Sequence, residues 1–488
     1  MSNENRDLGG YDQVIQFCQK DINDQLFHLW DDEHLPDRVR ETVGGASLDC
    51  EIEAPRVHLQ ARFPSQAEPR IYLELFLKRG ALTTPRQRYE IPDQPWKVSI
   101  LARLAHQPIT HRQVREHGKL PAEVKAKILA HDEDRFSIWH LYVELARGTV
   151  HGNLNRERST LPDLGEEDLR TFAELLEQHL QANIGQEHGL HLGFTPTFKQ
   201  ETAADAPGSP GWFQPTLVHH SITYEPAESC STLNYLMMTR HRPPPSGPGA
   251  GVVLAVGAQA PETRMRLSQR FFVEETAIPR IAAHYPEQRL ERRRDVREAW
   301  SSRYERKVET GRWVGPFEVR EFTNFHFNVQ TEARGPHGHS ARMYISRDSR
   351  FELTSDCPTG RMETTVGEHV DGSLNVRFTA AGDRIEAHGE NRPFKDYIRG
   401  NYDTRKWLTL SCAYKGIFAD YVSKNADTYL ATVRRVNDLL AKDWEGIRAH
   451  VLPGARSFTF KNAGASLIHD FLNLTMVMTY TAAEGESR

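Results

Sequence analysis

The chain lacks the short motifs that mark many enzymes. It has no GxxxxGK[ST] phosphate loop, no GxGxxG after a predicted strand, no HExxH and no GxSxG nucleophile elbow. These absences lower the expectation of nucleotide, zinc-hydrolase or serine-hydrolase chemistry. We therefore expect a protein that is not an enzyme and that needs no cofactor.

Targeting and redox signals are also absent. The N-terminus has no basic region followed by an apolar run, and no stretch approaches about 18 uninterrupted apolar residues. We therefore expect no signal peptide and no transmembrane segment, and a protein that is cytoplasmic or exported without a signal peptide. The five cysteines are widely spaced and form no CxxC, which is typical of reduced thiols. They are Cys18, Cys50, Cys230, Cys357 and Cys412.

An excess of positive or negative charge is also missing. The net charge of −5 over 488 residues gives no basic surface for nucleic acid. Arginines do concentrate between Arg289 and Lys307, but acidic residues alternate with them. This segment could meet phosphate or lipid head groups, although an exposed helix with i,i+4 ion pairs fits the pattern better.

Histidine is abundant, and close pairs occur at His188/His191, His219/His220 and His337/His339. Such pairs can bind metals, but these have no neighbouring cysteine and no well-spaced third ligand. We expect no metal site and interpret the pairs as polar loop and edge residues.

The segment from Tyr11 to Phe63 carries the strongest structural pattern. Ile15, Cys18, Ile22, Leu26 and Leu29 recur at three- and four-residue steps, which predicts one amphipathic helix. Apolar and polar residues then alternate over 46–54 and again over 57–63, which predicts two half-buried strands. The apolar stripe and the apolar strand faces can close into a packed core, which is the default, or leave a groove between them.

Later segments repeat the order of helix and strands. A strand is predicted over Ile71–Leu77 with a turn at Arg79-Gly80, a central strand over Phe136–Leu145 and a helix over Leu164–Ile184. Short strands follow one another from Trp313 to Phe418, then a helix over Ala426–Leu440 and a last strand over Leu474–Tyr480. We predict two helix-plus-curved-sheet modules, the first over residues 1–205 and the second over 206–488.

Several motifs in this order resemble one known family. They are Gly10-Tyr11-Asp12 before the first helix, Phe213-Gln214-Pro215, Leu233 to Thr239, the Leu267 to Val273 entry to a helix, and the ending from Leu452-Pro453-Gly454 to Tyr480. The ensemble is similar to the accessory proteins encoded beside clostridial neurotoxins and to their bacterial and fungal relatives, which belong to the tubular lipid-binding (TULIP) superfamily.

This resemblance implies an α+β fold with long helices wrapped by highly curved antiparallel β-sheets, and an elongated molecule with an apolar seam. It also implies binding of lipid or another long apolar ligand, or, as an alternative, a protein-interaction role with partners from the same gene cluster and a packed interior. No catalytic residue follows from it. The predicted lining residues are Ile15, Ile22, Leu26, Leu29, Leu48, Ile52 and Leu73.

Overall fold

A computed structural model describes the chain in separate ranges. Side chains are described for residues 8–59, 69–145, 150–183, 190–199, 214–224, 231–246, 263–268 and 271, and the backbone alone for residue 184 and for the strands between residues 291 and 480. The predicted helix over Ala426–Leu440 lies outside the described residues, as does most of the predicted helix that follows Ser268.

The described elements are antiparallel strands and a smaller number of helices. The first are β1 (Gln13–Cys18), α1 (Gln19–Asp31), β2 (Arg38–Val43), β3 (Ala46–Ile52), β4 (Arg56–His58), β5 (Arg70–Thr83), β6 (Arg88–Ile91) and β7 (Trp96–Ile109). Next come α2 (His111–Glu116), α3 (Ala122–Leu129), β8 (Phe136–Glu144), α4 (Val150–Asn153), α5 (Glu166–Ile184), β9 (Leu190–Phe198), β10 (Pro215–Thr223), β11 (Thr232–Thr239) and β12 (Thr263–Leu267). The last are β13 (Glu291–Arg292), β14 (Ala299–Thr310), β15 (Phe317–Ala333), β16 (His339–Cys357), β17 (Gly360–Ala381), β18 (Arg384–Asn391), β19 (Lys395–Tyr397), β20 (Phe458–Ile468) and β21 (Phe471–Tyr480).

The first sheet contains most of the N-terminal strands. Its order is β2-β3-β5-β7-β8-β9, with β4 and β6 paired to β5. Burial alternates along β3 and along the first half of β5, as the sequence pattern predicts. The buried face packs against α5 through Phe172 and Leu176. The opposite face of β8 and β9 is covered by α2 and α3, where Val114, Val124 and Ile128 meet Ile138 and Phe194.

A β-bulge at Gly80 replaces the turn predicted at Arg79-Gly80. Cys50 pairs with Gly80 while Glu51 pairs with Lys78, so Arg79 is an extra residue in a strand that continues to Thr83. The bulge needs glycine, because a Cβ at Gly80 would lie 2.1 Å from the backbone oxygen of Asp49. The prediction of a chain reversal there is wrong, since the dipeptide bends the strand without ending it.

The second sheet joins the start of the chain to its end. Its order is β10-β11-β1-β12-β21-β20, and β1 therefore lies between β11 and β12. All six residues of β1 are buried. Its strands come from both predicted modules, and the division of the chain at residue 205 stays a prediction.

The predicted first helix starts too early. Residues 13–18 form β1, the helix begins only at Gln19, and Ile15 and Cys18 therefore lie on a strand. The spacing of Ile15, Cys18 and Ile22 suits a helix face, but residues 13–18 are buried on both strand faces and gain two antiparallel partners. Pairing on both sides outweighs a helix preference that is weak for β-branched and aromatic residues.

The third sheet is a meander of long strands. Its order is β13-β14-β15-β16-β17-β18, with β19 paired to β17, and β17 is 22 residues long. The predicted run of strands is confirmed over the described residues between 317 and 397. The helix interpretation of Arg289–Lys307 is wrong, because Glu291–Arg292 and Ala299–Thr310 are antiparallel strands.

Three further predicted elements are confirmed. The strand predicted over Phe136–Leu145 is β8, which pairs on both sides; the helix over Leu164–Ile184 is α5; and the strand over Leu474–Tyr480 lies within β21. Within the described residues, none of the helices is both long and apolar enough to cross a membrane.

Candidate functional site

We call the boundary between α1 and strands β3 to β5 the helix–sheet seam. Hydrogen bonds close it. Asn23 Nδ2 donates to the carbonyl oxygen of Val57 at 3.1 Å, and Asn23 Oδ1 accepts from the Val57 N–H at 2.8 Å. Gln19 Oε1 accepts from the Leu59 N–H at 2.7 Å. These amides occupy the free edge of β4 as a neighbouring strand would, and so they fasten the helix to the sheet.

The predicted lining residues all belong to the same apolar cluster. Each is at most 3% exposed, and all belong to one main apolar cluster that also contains Tyr235 of β11 and Phe172 of α5. Ile22, Leu26 and Leu29 come from α1, Leu48 and Ile52 from β3, Leu73 from β5 and Ile15 from β1. The cluster agrees with a packed core and with the wall of a groove, and the lining role stays a prediction.

A group of buried histidines, not predicted from the sequence, lies between β8, β9 and α2. We call His117, His140 and His191 the histidine group. His191 Nδ1 is 2.7 Å from His140 Nε2, and the His117 ring centre is 4.6 Å from that of His191. His140 also stacks on Phe194 with ring centres 4.7 Å apart. Burial, with smaller contributions from His117 and His106, lowers the pKa of His140 to about 3, so His140 is uncharged at neutral pH.

The second set not predicted from the sequence lies where the first two sheets meet. We call His106, His220 and Tyr235 the polar junction; they come from β7, β10 and β11. Ring centres are 4.6 Å apart for His106 and His220, and 4.7 Å apart for His220 and Tyr235. Trp139 stacks on His106 at 4.5 Å.

Burial sets the charge of the polar junction. It lowers the pKa of His106 to about 4 and that of His220 well below its usual range, and His219 adds to both shifts. Burial also raises the pKa of Tyr235. All three side chains are therefore uncharged at neutral pH.

Three polar atoms of this junction have no hydrogen-bond partner in the part of the chain that the structure describes. They are Nε2 of His106, Nε2 of His220 and Oη of Tyr235, and each is shielded from solvent. Tyr235 as a whole is 1% exposed. Buried polar groups are nearly always paired in folded proteins, and other unpaired buried atoms occur elsewhere among the described residues. At this junction three such atoms belong to side chains that are connected by ring contacts.

The close histidine pairs of the sequence do not form metal sites among the described residues. His219 and His220 are neighbours on a strand and therefore face opposite sides of the sheet. The Nδ1 atom of His219 is 3.1 Å from Tyr11 Oη, whereas His220 faces Tyr235. His188 and His337 lie outside the described residues.

The geometry defines a class of fold: an α+β protein with a strongly curled antiparallel sheet, of the TULIP-like type that the sequence resemblance implies. The structure is similar to that of P47 from Clostridium botulinum A2, a toxin-cluster accessory protein. The TM-score is 0.53 at 10% sequence identity, over 99% of this chain and 100% of that one. The predicted resemblance is therefore confirmed for the fold.

Other solved structures match with lower scores. P47 of Clostridium botulinum E1 has a TM-score of 0.49 at 10% identity, over 96% of this chain and 99% of its own. A lipopolysaccharide binding protein has a TM-score of 0.33 at 10% identity, over 97% of this chain and 100% of its own. No protein-family model and no curated protein sequence matches the chain.

Proposed function

We propose that this chain is a non-catalytic protein that binds lipid or another long apolar ligand along the helix–sheet seam. One observation carries the proposal: apolar side chains from α1, β1, β3 and β5 converge in a single cluster beneath a curled sheet. An alkyl chain could lie among such side chains without leaving polar groups unpaired. The TULIP-like fold supports the same reading.

A second candidate function is a protein-interaction role with a fully packed interior. The amide bonds of Gln19 and Asn23 to β4 favour it, because they hold α1 against the sheet. Partners would then contact the outer surface, and the seam would be only a core. The two functions differ in what a larger side chain at the seam does.

The first experiment asks whether a ligand is present. Native mass spectrometry and solvent extraction of the purified protein should reveal a bound lipid, and a fluorescent fatty acid or phospholipid should be taken up. Absence of both a bound lipid and uptake would refute the ligand-binding function and favour the packed interior.

A second experiment uses two matched leucines. Leu26 lies on α1 at the seam, and Leu82 on β5 belongs to the same apolar cluster but is not a predicted lining residue; both are fully buried. If the seam holds a ligand, Leu26→Phe should reduce uptake with little loss of stability. Leu82→Phe should instead lower the free energy of unfolding by about 1–3 kcal/mol through overpacking and leave uptake unchanged. Equal destabilisation by both variants would contradict the groove.

A further inference from the structure

The polar junction lies next to the predicted ligand path. Tyr235 is the cross-strand neighbour of Ile15, a predicted lining residue, and its ring centre is 5.3 Å from that of Phe17. All three belong to the main apolar cluster. Polar atoms at this point therefore border an otherwise apolar surface.

The three side chains of the polar junction are in contact, but their unpaired atoms do not satisfy one another. His106, His220 and Tyr235 are connected by ring contacts, yet no hydrogen bond joins Nε2 of His106, Nε2 of His220 and Oη of Tyr235. Unpaired buried donors and acceptors cost free energy, so a site that keeps three of them in contacting side chains calls for a partner that the described residues do not supply.

The chemistry of that partner follows from the charge of the junction. Each neutral imidazole offers one donor and one acceptor nitrogen, and the Tyr235 hydroxyl can donate and accept. A carboxylate or phosphate would find no cation among these three residues. An uncharged group that both donates and accepts, as an alcohol hydroxyl does, fits all three.

We propose that the polar junction binds the hydroxyl head group of an uncharged alkyl ligand, whose chain runs into the helix–sheet seam. This inference rests on the proposed ligand-binding function and adds the class of head group to it. It predicts that the protein distinguishes ligands of equal chain length by their polar end.

The experiment uses displacement of a fluorescent alkyl probe by dodecanol, dodecanoate and dodecane near pH 7.5. We expect dodecanol to displace the probe at the lowest concentration. Tyr235→Phe should raise the dodecanol concentration needed by about tenfold, the effect of one lost hydrogen bond, and leave dodecane unchanged. Since Tyr235 Oη has no hydrogen-bond partner among the described residues, the variant should fold normally.

Two further variants sharpen the experiment. Tyr72→Phe removes a hydroxyl from a partly buried tyrosine on β5, beneath the Arg158 guanidinium, and should change nothing. His106→Phe keeps an aromatic ring against Trp139 and should weaken dodecanol selectively, as Tyr235→Phe does.

Failure of the ligand-binding function and failure of the head-group inference give different results in this experiment. If the probe never binds, the ligand-binding function itself is refuted. If the probe binds but the parent protein does not prefer dodecanol, or Tyr235→Phe and His106→Phe keep that preference, only the head-group inference is overturned. Buried water alone would then complete the junction.

Discussion

Lowering the pH should destabilise the protein through His140. Its pKa is about 3 in the folded chain, against an ordinary value of 6.5. Between these values the unfolded chain binds a proton that the folded chain does not. The stabilising contribution of neutral His140 is therefore complete above the pKa of the unfolded chain, and it is lost progressively as the pH falls towards the pKa of the folded chain.

The size of this loss follows from the two pKa values. From pH 7 to pH 5 the unfolded His140 becomes protonated while the folded one stays neutral, so the free energy of unfolding falls by about 2 kcal/mol from this residue alone. His106, with a pKa of about 4, adds to the loss in the same direction.

The variant His140→Gln isolates the contribution of His140. Glutamine does not titrate, and its amide can replace Nε2 in the bond to His191 Nδ1. Urea unfolding at pH 7 and pH 5 should show a loss about 2 kcal/mol smaller in the variant than in the parent, even if the variant is less stable at pH 7.

A matched histidine tests specificity. His34 follows α1 and lies outside the histidine group, so His34→Gln should keep the pH dependence of the parent. If His140→Gln and the parent lose the same free energy between pH 7 and pH 5, then His140 is not held neutral by burial and the reasoning is wrong.

Two further predictions concern stability and use urea unfolding. Ile22→Asp should unfold the first helix and its sheet, or lower the free energy of unfolding by more than about 3 kcal/mol, because it buries a carboxylate. Phe27→Asp is the control and should cost little, because Phe27 lies on the same helix and is 48% exposed. Normal stability of Ile22→Asp would mean that the buried face is misplaced. Gly80→Ala should lower the free energy of unfolding by about 2 kcal/mol or more, because its Cβ would meet the backbone of β3. Gly118→Ala is the control and should be neutral, because nothing lies within 4 Å of its Cβ. Equal urea midpoints for the two variants would refute the bulge.

The sequence predicts an element well where one periodicity fits and the other does not. The acidic first turn and apolar stripe of α5 suit only a helix, and the alternation over β3 suits only a half-buried strand. β1 could not be separated from α1 in the same way, because a strand buried on both faces has no alternation to reveal it. Arginine and glutamate between Arg289 and Lys307 likewise suit an exposed strand as well as a helix.

The candidate site was predictable only in part. Side chains on one helix face or one strand face, such as Ile22 and Leu48, can be chosen from periodicity alone. The polar junction could not be found in this way, because His106, His220 and Tyr235 meet only through strand registers and the contact between two sheets. Pairing registers between distant strands are fixed by packing, which no local pattern records.

The central position of β1 in the second sheet constrains how the chain can fold during synthesis. Its residues near the N-terminus pair with Thr232–Thr239 on one side and with Thr263–Leu267 on the other. During synthesis the β11 partners of this strand are made only by Met237, and its β12 partners only by Leu267, when more than half of the 488 residues have been made. Pairing between residues so far apart in sequence is slow to form, and until it forms the edges of β1 are exposed to aggregation.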